Sequence, residues 1–425
     1  MPTQDEIVAN FQLNQATSSK MVCESVQLGM LAAVETGDLR EVDRLVSRHG
    51  LYGIEDYPGG SHLLTRALWR SHQDVAMLLL RKGAEVNCRR ADCYYGCLSL
   101  HLACKRGYKD IISMLIEKGA DINVKDNRKR TPLYYSCRVD IVETLLTNNA
   151  VIDMADIWGN TPLHHLLIDP ELSLLNKLEL LNLFVGYGAL PISRKGSLMH
   201  ELIDHRSDPE LLRAVLVYWK HRLEVKHPET GDTALLFAVR EGQMEASMVL
   251  AEEGADLNAR DATGSAPLHI AVQKFAASFK REQGPVRTGD ESRFESNNFY
   301  KIMKTLLGTG YNIDINTKDD KTCTALHYAV QNACPPAITM LLNAGADPDA
   351  VTCTAQTPLF LAVTRMDGSS IKTLLDHGAD LSVLKRYKAL VIDLVESDDE
   401  RLVNFGSSPH QREVLVGLGD KSNLR

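Results

Sequence analysis

Apolar positions along this chain fall into short runs that return in one setting. Each run opens on a tetrapeptide of the form Thr161-Pro162-Leu163-His164, with variants Leu98-Ser99-Leu100-His101, Thr131-Pro132-Leu133-Tyr134, Ala266-Pro267-Leu268-His269, Thr324-Ala325-Leu326-His327 and Thr357-Pro358-Leu359-Phe360. Between the openings come glycine stops: Gly83-Ala84-Glu85, Gly119-Ala120-Asp121, Gly254-Ala255-Asp256, Gly345-Ala346-Asp347 and Gly378-Ala379-Asp380. Thr can cap a helix, and Pro suits its first turn, where the missing N–H is not needed. Glycine takes the left-handed conformation that ends a helix at little cost. The pattern therefore predicts helices that start at each tetrapeptide and finish at the glycine. From position 101 to 134, from 236 to 269 and from 327 to 360 the step is 33 residues, a fixed period that marks stacked repeats.

The period, the Thr-Pro-Leu-His opening and the Gly-Ala-Asp ending together resemble the ankyrin-repeat family. The resemblance implies an all-α solenoid of helix-turn-helix units, with the second helix ending in Leu-Leu and β-hairpin-like loops between units. We read ten repeats and a degenerate cap within residues 28–404, flanked by a polar segment 1–27 and a tail 405–425. The units fall at about 28–60, 61–97, 98–130, 131–160, 161–195, 196–230, 231–264, 265–322, 323–355 and 356–387, with 388–404 as the cap. The fourth is short between its helices, since Tyr134 to Asp140 spans six steps where His101 to Asp110 spans nine. The sixth has His221-Arg222-Leu223 where Gly-Ala-Asp is expected. The eighth carries an insertion, 274–298, that is charged, bears Gly and Pro in its middle and reads as a loop between the unit's two helices. Thr288 within it suits an acid-directed kinase, and its phenylalanines could anchor a partner.

Composition narrows the function. With 44% hydrophobic and 24% charged residues the chain is ordinary for a soluble protein, and a net charge of −8 argues against general nucleic-acid binding. Nine cysteines, an odd number without regular spacing, fit reduced thiols in the cytosol or nucleus. No run approaches the ~20 apolar residues of a membrane span, and the N-terminal residues do not read as a secretory signal. Cys88, Cys93, Cys97, His101 and Cys104 crowd together, and Cys88-x₄-Cys93-x₃-Cys97 fits the spacing of structural zinc loosely, but His101 and Cys104 belong to the repeat's inner helix, so no metal site is expected. No phosphate-cradling or dinucleotide motif is present. Candidate Ser, His and Asp recur in register with the repeat, which points away from catalysis and from a cofactor. Asn87, Asn123 and Asn258 match the positions at which ankyrin proteins accept asparaginyl hydroxylation, although the first role of such an Asn is to hold a turn.

The resemblance implies that loop tips and exposed positions of the first helix meet partner proteins. In the third to fifth units these positions include Arg89, Arg90, Tyr94, Tyr95, Lys105, Arg106, Arg128, Arg130, Tyr135, Ile157, Trp158 and His165. Tyr, Trp and Arg dominate interface hot spots, so an acidic or phosphorylated protein surface is the expected partner. The expected role is a non-enzymatic scaffold or adaptor without membrane contact. Two alternatives stay open. One is a substrate receptor of a cullin-RING ubiquitin ligase, though the tail holds only Pro409 and no cysteine where a ligase-binding box is richer in both. The other is a nucleic-acid-associated regulator.

Overall fold

Helices begin at the tetrapeptides and stop before the glycines that the sequence marks. The structure, a computed structural model, describes residues 25–51, 63–87, 97–193, 196–281, 294–308, 310–365 and 367–380. It divides into two units, residues up to Lys195 and residues from Gly196. The first holds α1 (25–36), α2 (Leu39–His49), α3 (Leu63–Trp69), α4 (Gln73–Arg81), α5 (Ser99–Arg106), α6 (Lys109–Glu117), α7 (Val139–Thr147), α8 (Pro162–Ile168) and α9 (Leu174–Gly186). The second holds α10 (Leu198–Asp204), α11 (Pro209–Trp219), α12 (Ala234–Arg240), α13 (Met244–Glu252), α14 (Pro267–Arg281), α15 (Asn298–Leu306), α16 (Ala325–Gln331), α17 (Pro335–Asn343), α18 (Pro358–Thr364) and α19 (Gly368–Asp376). Two strands of two residues, Ile192–Ser193 and Gly196–Ser197, are the described exceptions to an all-α fold.

Within each unit the helices form two layers. First helices meet first helices, as α3 meets α5 and as α12, α14, α16 and α18 meet in turn, while second helices meet second helices, as α2, α4 and α6 do. The layers share a core of aliphatic side chains such as Leu79, Ile111, Leu115, Leu145, Leu250 and Leu341, all fully buried. Each such side chain contributes roughly 1.5–3 kcal/mol. Gly119 (φ 85°) and Gly254 (φ 90°) end α6 and α13 in the left-handed region, where a side chain would strain the backbone.

Neighbouring repeats are joined by buried imidazoles. His101 accepts the Leu98 N–H at Nδ1 (3.2 Å), leaving the proton on Nε2, which donates to the carbonyl of Arg130 in the next loop (3.0 Å). His269 repeats this with Ala266 N–H (3.2 Å) and Cys323 O (3.1 Å), and His327 with Thr324 N–H (3.1 Å) and Gln356 O (3.3 Å). A second row of links uses asparagine. Asn123 donates to Asn149 O (3.3 Å) and accepts from Val151 N–H (2.7 Å), and Asn87 and Asn258 bridge to Gly119 and Asp121 and to Asn312 and Asp314 in the same way. Each such bond is worth about 1 kcal/mol net, and more is lost if one partner is left unsatisfied.

Three irregular places resolve differently from the sequence expectation or add to it. In the short fourth repeat the first helix shrinks to a 3-10 turn, Pro132–Tyr135. Tyr134 stands where other repeats have His, and its longer phenol still reaches the next loop, at hydrogen-bond distance from Met154 O (2.7 Å) and Asn160 O. In the sixth repeat a 3-10 turn, Lys220–Arg222, follows α11, and Leu223 is buried beyond it. The insertion is not a loop along its whole length. α14 continues to Arg281, and Phe275, Phe279 and Phe294 are buried against one another and Tyr300, with ring centroids 5.5 to 6.3 Å apart. These phenylalanines are core, not partner anchors, because the long amphipathic helix gives them a place to bury that a loop would not. Thr288 and the degenerate cap lie outside the described residues.

Two outcomes follow for stability. Phe275→Ala should cost about 3–5 kcal/mol, read as a lowered urea midpoint by circular dichroism; a loss under ~1 kcal/mol would contradict its core role. Burial holds the imidazoles of His164 and His200 down to about 4 and also lowers those of His269 and His327. The unfolded chain then binds more protons than the folded one below the ordinary histidine value of ~6.5. Stability should fall as pH drops from about 7 to about 5, and a midpoint equal or higher at the lower pH would overturn this linkage.

Candidate protein-binding face on the fingers of repeats four and five

The loop between repeats folds as a finger built around one aspartate. Asp126 N–H donates to Arg130 O (3.0 Å), while its Oδ1 accepts from the N–H groups of Arg128 and Arg130 (both 2.8 Å). Asp156 closes the next finger identically on Asn160 O (2.9 Å), Trp158 N–H (2.9 Å) and Asn160 N–H (3.1 Å). The two fingers are laced by Ile157 N–H to Arg128 O at 3.0 Å. Both carboxylates face inward onto backbone, which leaves the outer surface to the side chains between them.

Those side chains form a layered cluster. The Arg128 guanidinium lies 5.4 Å and that of Arg130 5.3 Å from the centre of the Trp158 ring, and Arg130 also lies 5.8 Å from the Tyr134 ring. Arg130 is the more enclosed, with its side chain 17% exposed, and its Nε stands 3.4 Å from Asp156 Oδ2. Trp158 is 41% and Ile157 51% exposed. Tyr135 donates to Asp126 Oδ2 (2.6 Å) and meets the His101 ring edge-on, and burial followed by that hydrogen bond raises its phenol above the ordinary range. His165 contacts Arg130 Nη1 at 3.4 Å; burial, then the Arg130 charge, lowers its imidazole, so it stays neutral at physiological pH.

Of the residues singled out from sequence, the structure brings Arg128, Arg130, Tyr135, Ile157, Trp158 and His165 into this one cluster. Lys105 and Arg106 are exposed at the end of α5, and the Arg106 guanidinium donates back to Trp69 O (2.8 Å). Arg89, Arg90, Tyr94 and Tyr95 lie outside the described residues. Sequence reading passed over Asp126 and Asp156, which position everything else; their recurrence five residues before each Thr was the available signal. It also passed over Trp69, 41% exposed beside Arg106. Of the crowded cysteines and histidine, Cys97 and Cys104 are buried thiols and both ring nitrogens of His101 are engaged, while Cys88 and Cys93 lie outside the described residues. Among the described residues no group of three or more His, Cys, Asp or Glu is placed to hold a metal ion.

A family model described as Ankyrin repeats (3 copies) matches residues 29–126, 100–169 and 294–384, and an Ankyrin repeat model matches 230–262. The chain belongs to the ankyrin-repeat family. It is 31% identical over 222 residues to the mouse B-cell lymphoma 3 protein homolog, covering 50% of this chain and 42% of that protein. It is 29% identical over 168 residues to human Neurogenic locus notch homolog protein 1, covering 37% of this chain and 7% of that protein. The chain thus spans well under half the length of these curated relatives. Among solved structures, the ankyrin repeat domain of Bcl-3, described as a unique member of the IkappaB protein family, aligns with a TM-score of 0.39 and 23% identity, covering 66% of this chain and 99% of that domain. Ankyrin repeats mediate protein–protein binding and are generally non-enzymatic. Among the described residues no helix is long and apolar enough to cross a membrane.

The cluster separates a buried positioning role, that of Asp156, from the half-buried side chain of Arg128, and stability should show it. Asp156→Ala strips the acceptor from two N–H groups and leaves Arg130 without its counter-charge, which should cost about 3 kcal/mol or more. Arg128→Ala should stay within about 1 kcal/mol of wild type. Thermal melts of the two variants check this; equal losses would contradict the assignment.

Proposed function

We propose that this ankyrin array is a non-enzymatic scaffold or adaptor that receives an acidic or phosphorylated segment of a partner protein on the fingers of repeats four and five. The observation that carries the reading is the pair of guanidiniums within 5.4 Å of the centre of a partly exposed tryptophan ring. Stacking on an aromatic ring orders a guanidinium before binding while its N–H edge remains suited to two oxygens of a carboxylate or phosphate. The indole adds apolar area at small entropic cost. The finger carboxylates are engaged inside their own loops, so an incoming anion meets cations and rings first. Lys105 on the neighbouring helix extends the basic character toward the third repeat.

The test is affinity capture with the full chain and with an Arg128→Ala/Trp158→Ala variant whose circular dichroism matches wild type, followed by titration of each recovered partner. Loss of a central aromatic or arginine anchor costs ~2 kcal/mol or more, near a 30-fold weaker Kd. The expected result is that at least one partner, bearing an acidic or phosphorylated segment, is lost from the variant and loses affinity on dephosphorylation or charge reversal. Identical partners with unchanged affinity for both baits would overturn the reading.

A further inference from the structure

The C-terminal pair of described fingers departs from the others at one point. Where the fifth finger meets the fourth, and the ninth the eighth, the residue after the finger's first position donates its backbone N–H to the preceding finger: Ile157 to Arg128 O (3.0 Å) and Asp320 to Thr263 O (3.2 Å). At the same place in the finger Thr352–Thr357, Cys353 N–H turns to Thr322 Oγ1 instead. The corresponding carbonyl, that of Lys321, accepts from Thr322 Oγ1 (2.6 Å) and is also approached by two thiols from facing fingers, Cys353 at 3.7 Å and Cys323 at 3.8 Å. Cys353 is exposed, whereas Cys323 is 7% exposed and sits behind it.

We propose that Cys323 and Cys353 are a peroxide-sensitive thiol pair that closes into a disulfide linking the two fingers. The exposed thiol reacts first: Cys353–SH and hydrogen peroxide give the sulfenic acid Cys353–SOH and water. The Cys323 sulfur then attacks the Cys353 sulfur, forming the S–S bond; the hydroxyl leaves with the Cys323 proton as a second water. Two electrons pass from the thiols to the peroxide, and an added dithiol reverses the link. Burial, then Asp319, raises the Cys323 thiol, which fits a resolving rather than an attacking role toward peroxide. A disulfide needs its two residues on facing segments a few ångströms apart, and the two thiols come from adjoining fingers and lie within 3.8 Å of one carbonyl oxygen. Among the other described cysteines, Cys97, Cys104 and Cys334 are buried, and Cys137 is exposed but faces Asp169 and Glu171. The link would lock together the tips of two fingers within the second unit.

The experiment treats the full chain with hydrogen peroxide and maps its peptides without reduction, beside Cys353→Ser and Cys323→Ser variants checked by circular dichroism. The expected result is a Cys323–Cys353 linked peptide, lighter by two hydrogens than the separate thiols, abolished in both variants and by dithiothreitol. Cys353 oxidised to sulfinic acid while Cys323 remains alkylatable, or Cys353 joined to another cysteine, would overturn it. Cys323→Ser should leave Cys353 trapped as a sulfenic acid that a dimedone probe labels; no labelling would equally count against the pair.

Discussion

A buried hydrogen bond from one repeat to the closing carbonyl of the next finger is the constraint on which the rest depends. His101, His269 and His327 each spend one ring nitrogen on their own helix start and the other on the neighbouring loop. His200 reaches Asp232 O (3.1 Å) in the same manner. Since the acceptor belongs to another repeat, these four units do not satisfy their buried imidazoles by themselves, and order has to propagate from neighbour to neighbour. Burial lowers the imidazoles of His200, His269 and His327, which favours the neutral state in which one nitrogen donates and the other accepts. The asparagine links add a second row of the same kind just after the second helix of their repeats.

This constraint shapes the proposed recognition face. Arg130 supplies the carbonyl that His101 needs, and its side chain is stacked on Trp158 and drawn toward Asp156. The finger is therefore held from below by the preceding repeat and from the side by the following one. Its aspartates are consumed in capping backbone N–H groups, so a chain with net charge −8 presents cations and aromatic rings at this place. Local geometry, not overall charge, decides what an incoming partner meets.

Much of this was legible along the chain, for a physical reason: capping residues, glycine stops and the 33-residue period act locally, and local rules survive stacking. The insertion shows where that reading runs out. A charged stretch with Gly and Pro reads as loop, yet Phe275 and Phe279 fall on one face of a helix, and Phe294 and Tyr300 return to cover them. Contacts between residues so far apart in sequence leave no local mark. Tyr135 and Arg130 likewise look like two more exposed anchors in one dimension, while in three dimensions they are tied to Asp126 and Asp156.

By itself the sequence determined the family, the helical class and the register of helix starts and stops, because each rests on backbone preferences within a few residues. It also placed arginine and tryptophan on adjacent fingers, since the period converts residue number into position. Only the tertiary structure decided which of those side chains face outward and which brace the finger. Only it brought Cys323 and Cys353 onto one carbonyl. Those outcomes depend on how two loops about thirty residues apart meet, and that meeting is set by the buried hydrogen bonds between repeats rather than by either loop alone.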